Sequence, residues 1–167
     1  MSAPQPTSGN LPRADLPREG ALQGEVHRFP VRVYYEDTDA AGIVYYANYL
    51  KFIERARTEM MRLYGVEHEK ARQSGGTAFI VRRCEIEYIA PARLDDALVV
   101  ETRLKGLGGA TILLSQDVLR DATLLVRASV LVACVGAQGR PVRLPAELRS
   151  SLSSFNDKPQ MVTAHAR

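Results

Sequence analysis

The sequence predicts an α+β fold in which one long helix packs against a mainly antiparallel sheet of five strands. A helical run of apolar residues begins near Tyr46 and closes at Gly65, and strand-like alternation occurs on both sides of it. The strand-like segments after the helix are joined by short connections. Short connections favour antiparallel pairing, because a parallel crossover needs about a dozen or more residues.

The chain divides into one domain and two tails. It has 167 residues, of which 46% are hydrophobic and 25% charged, and these proportions suit a single globular domain. Residues 1–24 are rich in Pro, Gly and charge without a periodic apolar face, so we predict a disordered N-terminal tail. Residues 25–155 are predicted to form the domain, and residues 156–167 are predicted to be a frayed C-terminal tail.

Composition argues against several classes of function. The net charge is +3 and the basic residues are scattered, so no nucleic-acid partner is expected. No apolar run approaches the roughly eighteen residues of a membrane span, and no secretory signal follows the first methionine. We therefore expect a cytoplasmic protein. Cys84 and Cys134 are expected to be buried free thiols, and the three histidines to be surface residues without metal-ligand spacing.

The elements before the connector at residue 66 are a strand, a turn and the helix. Alternation through residues 29–35 predicts the strand, and turn-forming residues at 37–42 end it. The helix that follows should be about eighteen residues, or roughly 27 Å, long. Gly65 suits its C-terminus, since glycine adopts positive φ without a Cβ penalty. The predicted core-facing stripe is Tyr46, Tyr49, Leu50, Ile53, Arg57, Met60 and Tyr64.

Four more strands are predicted after the helix. They are centred on residues 78–88, 98–104, 112–118 and 124–134, and residues 145–152 are expected to form a short helix. The second strand should place one face towards the core, interrupted by Arg82. That face is expected to contain Ala78, Ile80, Cys84, Ile86 and Tyr88. One helix covers only part of such a sheet, so we expect a homo-oligomer.

Three motifs carry a family resemblance. They read YEDTDAAGIVYYANY at residues 35–49, ERARTEM at residues 54–60 and YIAPARLDD at residues 88–96. Together they resemble the YbgC-type acyl-CoA thioesterases, which belong to the 4-hydroxybenzoyl-CoA thioesterase branch of the hotdog-fold superfamily. The resemblance extends over about residues 28–136. Many YbgC-type members have histidine where this chain has Tyr46, whereas the hydroxybenzoyl branch resembles this chain in having tyrosine.

The resemblance implies a fold, a reaction and partners. The fold would be a hotdog, in which a curved antiparallel five-stranded sheet wraps around one long central helix, assembled into dimers or tetramers. The reaction would be hydrolysis of small or medium acyl-CoA thioesters, with Asp39 as the catalytic carboxylate. No metal is implied, and no cofactor beyond the coenzyme A of the substrate. An envelope-associated partner linked to the Tol-Pal system is implied by the resemblance alone.

The turn before the helix contains the groups that thioester hydrolysis needs. The reaction requires a group that attacks or activates water, and donors for the oxygen that becomes negative. Gly42 permits a close backbone approach, and the backbone N–H of Tyr46 is the expected oxyanion donor at the helix N-terminus. Asp39 can act as nucleophile or general base. The alternative for Asp39 is a turn or capping role, and Asp37 is its rival for the chemistry.

Other candidate binding residues have competing structural interpretations. Tyr45, Tyr46 and Tyr49 are candidates to line an acyl pocket, although a core role is preferred for Tyr49. Arg82 is a candidate to bind a coenzyme A phosphate, but an internal salt bridge is the preferred alternative because a buried lone charge is costly. Two other functions are open. A hotdog dehydratase would need a histidine in the site, and a non-catalytic acyl-CoA-binding or scaffold protein would need no catalytic group.

Overall fold

The computed structural model describes residues 20–66 and 76–156. A single turn of 3-10 helix at Tyr35–Asp37 precedes the long helix. The strands and helices of the described residues, in chain order, are β1 (Ala21–Gln23), β2 (Val26–Arg32), α1 (Asn48–Leu63), β3 (Ala78–Tyr88), β4 (Ala97–Leu107), β5 (Thr111–Arg120), β6 (Thr123–Val135) and α2 (Ala146–Asn156). The prediction of an α+β fold with one long helix is confirmed, and the short C-terminal helix is also present.

The strands form one antiparallel sheet in the order β1-β2-β4-β5-β6-β3. The sheet therefore has six strands where the sequence predicted five. The additional strand, β1, lies within residues 1–24, which were predicted to be a tail, and it pairs Leu22 with His27 of β2. A strand of three residues is too short to show an alternating pattern, so the sequence does not predict it. Residues 1–19 and 157–167 lie outside the described residues.

Helix α1 is held to the sheet by one buried face. Phe52, Ala56 and Met60 are fully buried, whereas Leu50 of the predicted stripe is 41% exposed because it lies at the margin of the buried arc. Just after the C-terminus of the helix, the N–H of Gly65 donates to the carbonyl of Arg62 at 2.9 Å, and Gly65 has a φ of +79°. This left-handed residue ends the helix as the sequence predicted.

Strand β3 forms one edge of the sheet and departs from its predicted pattern. A bulge between Val81 and Arg83 shifts the register with β6. An extra residue reverses the alternation, so Ile80 does not share the α1-facing side with Cys84, and the predicted single face is wrong before the bulge. Cys84 is exposed on this edge, contrary to the expectation of burial, while Cys134 on β6 is buried.

Two further placements complete the fold around the site. His27 is fully buried, not at the surface, because it lies on β2 between Leu22 of β1 and Thr102 of β4. His68 and His165 are outside the described residues. Helix α2 contacts β4 and buries Leu148 and Leu152. No helix in the described part of the chain is long and apolar enough to cross a membrane.

Candidate active site

The loop between the 3-10 turn and α1 folds into a tight turn. Thr38 and Val44 form an antiparallel bridge, and inside it the N–H of Asp39 donates to the carbonyl of Ile43 at 2.9 Å. The N–H of Gly42 donates back to the carbonyl of Asp39 at 2.9 Å, and Gly42 has a φ of +71°. A Cβ on Gly42 would meet nothing within 4 Å, so the glycine is required by conformation and not by crowding.

Asp37 belongs to the framework of this turn. Its side chain is 4% exposed, and its carboxylate accepts a hydrogen bond from the N–H of Tyr34 at 2.9 Å. Its carbonyl accepts from the N–H of Tyr45 at 2.8 Å and from Nδ2 of Asn48 at 2.9 Å. These bonds tie the 3-10 turn to the first residue of α1. Asp37 therefore positions the loop and is not presented to a substrate.

Asp39 is exposed on the same loop. One oxygen, Oδ1, accepts a hydrogen bond from the N–H of Ala41 at 2.8 Å, which orients the carboxylate and leaves Oδ2 without a donor among the described residues. The pKa of Tyr45 is raised chiefly by a hydrogen bond with the Tyr46 side chain, and also by the negative charge of Asp39. The carboxylate is thus close to the tyrosine pair that follows it in sequence.

The backbone N–H of Tyr46 lies just before α1. The N–H of Asn48 donates to the carbonyl of Tyr45 at 2.8 Å, and the N–H of Leu50 donates to Ala47 at 3.2 Å. Within residues 20–66 and 76–156, no acceptor receives the N–H of Tyr46. The positive end of the α1 dipole reinforces this donor. An oxygen that develops negative charge can bind here.

A cleft of about 270 Å³ opens beside Tyr46, and we call it the tyrosine cleft. The rings of Tyr46 and Tyr88 meet edge to face at 6.2 Å, and the hydroxyl of Tyr88 donates to the carbonyl of Tyr46 at 3.1 Å. Its walls are otherwise mainly aliphatic. The lining residues are Ile43, Val44, Tyr46, Tyr49, Tyr88, Ile89, Ala90 and Pro91.

The two remaining candidate tyrosines have different positions. Tyr49 is 2% exposed, and its hydroxyl accepts a hydrogen bond from the N–H of Ala92 at 2.9 Å, so it is a core residue that also forms one wall of the cleft. Burial raises the pKa of Tyr49. Tyr45 does not line the cleft. Its ring packs on Tyr46 at 4.7 Å and is 44% exposed.

Arg82 is separate from the turn. It lies at the β3 bulge and is exposed. Arg82 does not line the tyrosine cleft. No carboxylate of the described residues lies within salt-bridge distance of Arg82, so none of them forms the internal ion pair that the sequence favours. The described residues also contain no cluster of three or more His, Cys, Asp and Glu side chains that could hold a metal ion.

Sequence reasoning missed part of the site. The strand alternation places Tyr88 on a strand face and does not reveal that its ring and hydroxyl both contact Tyr46, although Tyr88 stands in a family motif. The helix stripe identifies Arg57 as its polar member but not the residue that Arg57 contacts on the sheet. That partner is Gln116 of β5, whose Oε1 lies 3.0 Å from the guanidinium. A glutamine on the apolar face of a predicted strand was the available signal.

Comparison with known proteins is consistent with this geometry. The sequence profile of the thioesterase-like superfamily matches residues 33–152. The acyl-CoA thioesterase YbgC of Haemophilus influenzae is 46% identical over 124 residues, which are 74% of this chain and 91% of that protein. The acyl-CoA thioester hydrolase YbgC of Escherichia coli O6:H1 is 49% identical over 109 residues, which are 65% of this chain and 81% of that protein. The crystal structure of a probable thioesterase from Bartonella henselae superposes with a TM-score of 0.69 at 38% identity, covering 72% of this chain and 99% of that one.

Proposed function

This chain belongs to the thioesterase-like superfamily and hydrolyses acyl-CoA thioesters, and we propose that it does so on the turn that carries Asp39 and Tyr46. One observation supports this site above others. An exposed carboxylate and a backbone N–H without an acceptor among the described residues lie on one short turn, beside an apolar cleft. The products are a free acid and coenzyme A.

The proposed mechanism divides the work between these two groups. The thioester oxygen accepts a hydrogen bond from the N–H of Tyr46, which stabilises the negative charge that forms on it; one such donor contributes about a hundred- to a thousandfold in rate. Asp39 then acts in one of two ways. As nucleophile it forms an acyl anhydride and expels the coenzyme A thiolate, and water hydrolyses the anhydride; as general base it removes a proton from the attacking water.

Burial separates the two aspartates. The carboxylate of Asp37 is engaged by the N–H of Tyr34 and is 4% exposed, so a substrate carbonyl cannot approach it without breaking the loop. Asp39 keeps one oxygen free of described donors and is exposed. This difference favours Asp39 for the chemistry and assigns Asp37 to the framework.

The tyrosine cleft fits a small or medium acyl group. Its volume is about 270 Å³, and Ile43, Ile89 and Pro91 give it an apolar wall. Apolar walls with a few polar groups at one end are typical of sites for acyl groups and other small ligands. We further propose that Gly42 and Tyr45 contact the substrate beside the cleft and that Arg82 contacts a phosphate of coenzyme A.

The alternative functions have less support. A dehydratase would need a histidine near the cleft, and His27, the histidine of the described residues, is buried between β1 and β4. A non-catalytic scaffold would give no role to an exposed Asp39 on the turn that precedes the N-terminus of α1. No feature of the described residues favours the envelope-associated Tol-Pal partner, and it is not part of this proposal.

We also propose a homo-oligomer assembled through β3. Among the described strands, β3 pairs only with β6, so its other edge presents backbone groups that no described strand pairs. Ile80 and Val81 on it are 49% and 46% exposed. Antiparallel pairing of two β3 strands would cover this edge in a dimer, and a tetramer would need one more interface.

The free thiols of Cys84 and Cys134 suit the reducing cytoplasm.

Hydrolysis of a thioester panel tests the proposed function. Acetyl-, butyryl-, decanoyl- and benzoyl-CoA would be incubated with the full chain, and free thiol would be detected as coenzyme A is released. We expect turnover of at least one short and one medium substrate, and loss of turnover in Asp39→Asn. No thiol release from any substrate would contradict the function. Full activity in Asp39→Asn would contradict the site.

A further inference from the structure

A second cavity, of about 320 Å³, lies further along α1 towards its C-terminus. Its helix wall is polar and its sheet wall is apolar. The lining residues are Glu54, Arg57, Thr58, Met61, Arg62, Phe79, Val81, Ile112, Leu114 and Val132. A cavity with these two walls suits an elongated apolar ligand that carries one polar group.

The second cavity and the tyrosine cleft both border strand β3. Helix α1 makes its main sheet contacts with β2, β4 and β5, so the inner face of β3 is only partly covered: Phe79 and Ile86 pack against the core, whereas Val81 is 46% and Tyr88 45% exposed. Val81, at the second cavity, and Tyr88, at the tyrosine cleft, are opposite ends of this inner face. Cys84 and Ile86 lie between them and pair with Val130 and Ala128, inward-facing residues of β6.

Arg57 is the polar centre of the second cavity. It is 7% exposed, and its guanidinium donates to Oε1 of Gln116 at 3.0 Å and to the carboxylate of Glu54. Nε2 of Gln116 in turn donates to the carbonyl of Ile53 at 2.8 Å and to Oγ1 of Thr102 at 3.0 Å, which fixes its orientation. A guanidinium has five N–H donors. Within the described residues, Arg57 has these two acceptors, so donors remain for a ligand oxygen.

We propose that this second cavity binds the far end of a medium-chain acyl group that carries a hydroxyl, with Arg57 donating to that hydroxyl and Glu54 accepting from it. The proposal rests on the proposed function and names its substrate class. A hydroxyl both donates and accepts, so it matches the ion pair. A terminal carboxylate would be repelled by Glu54, and a terminal methyl would leave the buried donors of Arg57 unpaired.

The geometry sets the length of the chain. Gln116 contacts both the Arg57 guanidinium and the carbonyl of Ile53, so the charged group lies level with residues 53–54 of the helix. Glu54 is eight residues after Tyr46, two of them in the turn before α1 and six in the helix, and at a rise of about 1.5 Å per residue this separation is about 12 Å. An extended chain advances about 1.2 Å per bond, so the hydroxyl should be about ten bonds from the thioester carbonyl.

The hydrolysis rates of four thioesters test this proposal. The full chain would be assayed with 10-hydroxydecanoyl-CoA, decanoyl-CoA, the mono-CoA thioester of decanedioic acid, and butyryl-CoA. We expect kcat/KM for the hydroxylated substrate to exceed that for decanoyl-CoA by about tenfold, mainly through a lower KM. A hydrogen bond to a charged group contributes about this much to binding. The decanedioyl substrate should be no better than decanoyl-CoA. Equal values for hydroxylated and plain chains, or preference for the carboxylate, would overturn the proposal.

Two variants locate the effect. Arg57→Met replaces the guanidinium with an apolar chain of similar length, and the hydroxyl preference should fall from about tenfold to none. Val81→Trp fills the cavity from the exposed edge, and decanoyl-CoA should lose at least about tenfold in kcat/KM relative to butyryl-CoA. An unchanged preference in Arg57→Met, or an unchanged chain-length ratio in Val81→Trp, would contradict the assignment. Turnover of butyryl-CoA without these effects would overturn this inference alone, whereas no turnover of any thioester would overturn the proposed function as well.

Discussion

Two parts of the sheet differ sharply in how they are covered. On the packed side, α1 lies over β2, β4 and β5, and Leu98 and Val100 of β4 are at most 1% exposed. On the open side, β3 has the same length as β4, yet Ile80 and Val81 are about half exposed. Both strands are rich in β-branched and apolar residues. One helix is too narrow to cover six strands, so α1 covers the packed side of the sheet and leaves the open side at β3 partly exposed.

This difference separates stability from function. Side chains of the packed side fill the core, and their loss should unfold the protein. The tyrosine cleft and the second cavity lie where the packed side meets the open side, between α1 and β3. Tyr49 belongs to both, since it is buried and also lines the cleft. The open side is therefore the part of the fold available for substrate and for a second copy.

The largest effect is expected from a core truncation on the packed side. Phe52→Ala removes a fully buried ring and should lower the free energy of unfolding by about 3–5 kcal/mol, because it leaves a cavity that the core cannot refill. Leu50→Ala, two residues earlier and 41% exposed, is the matched control and should cost less than about 1 kcal/mol. Urea unfolding followed by circular dichroism measures both. Equal losses would show that the two faces of α1 are packed alike.

The next effect concerns catalysis at the boundary. Asp39→Asn keeps the shape of the side chain but removes its charge and basic oxygen, so kcat should fall at least about a hundredfold while KM changes little. The melting temperature should be unchanged, since the carboxylate is exposed.

Asp37→Asn is the control for this substitution. Its amide oxygen can still accept from Tyr34, so activity should fall far less than in Asp39→Asn. A folded Asp39→Asn protein that keeps more than about a tenth of wild-type kcat would contradict the catalytic role, which should contribute about a hundredfold or more. Loss of activity in Asp37→Asn alone would move the chemistry to the buried aspartate.

Charge on the open edge should weaken the proposed dimer. Ile80→Lys places a cation on β3, and pairing of two β3 strands would have to remove water from this charge. The dissociation constant of the dimer should therefore rise by at least about tenfold. Leu22→Lys, on β1 at the opposite edge and 40% exposed, should leave the dimer intact. Light scattering over a dilution series distinguishes them. A wild-type mass near 18.4 kDa at all concentrations would show that no dimer forms.

The smallest effect should come from Asp96, a carboxylate just before β4. Burial alone would raise the pKa of Asp96, but hydrogen bonds from the N–H of Arg93 at 2.8 Å and from Arg120 at 2.7 Å outweigh it and lower the pKa. The carboxylate therefore stabilises the fold above the ordinary Asp pKa of about 3.9, and this contribution is lost as pH falls through the lowered value.

Asp96→Asn tests this pH dependence. Because Arg120 is partly exposed, the variant should cost no more than about 1 kcal/mol at neutral pH. Urea unfolding at a series of pH values should show the difference from wild type shrinking below pH about 4. A difference that stays constant, or grows with acid, would show that Asp96 acts through packing and not through charge.

The sequence was sufficient where a regular pattern met a single packing surface. The period of α1 and the position of Gly65 predicted the long helix, and alternation predicted four strands on the packed and central parts of the sheet. It was insufficient where one residue changes the register. The β3 bulge after Val81 moved Ile80 to the other face, and the polar Arg82, which interrupts the predicted face there, does not by itself distinguish a bulge from continued alternation.

The site followed the same division. Asp39 and the N–H of Tyr46 lie on one turn, so a local motif was enough to nominate both. The choice between Asp37 and Asp39 depends on burial, which the sequence of two aspartates two positions apart does not reveal. The contact of Arg57 with Gln116 joins residues 59 positions apart and could be seen only once the helix lay on the sheet.

The central claim is that the thioester carbonyl lies between Tyr46 and Asp39. A crystal structure with a ketone analogue of decanoyl-CoA, in which a methylene separates the sulfur from the carbonyl, tests it most directly because the ligand cannot be hydrolysed. We expect the ketone oxygen about 2.7–3.1 Å from the backbone N of Tyr46, with the Asp39 carboxylate facing the carbonyl carbon. An analogue bound with its carbonyl away from this turn would contradict the account, whatever the rates of the variants.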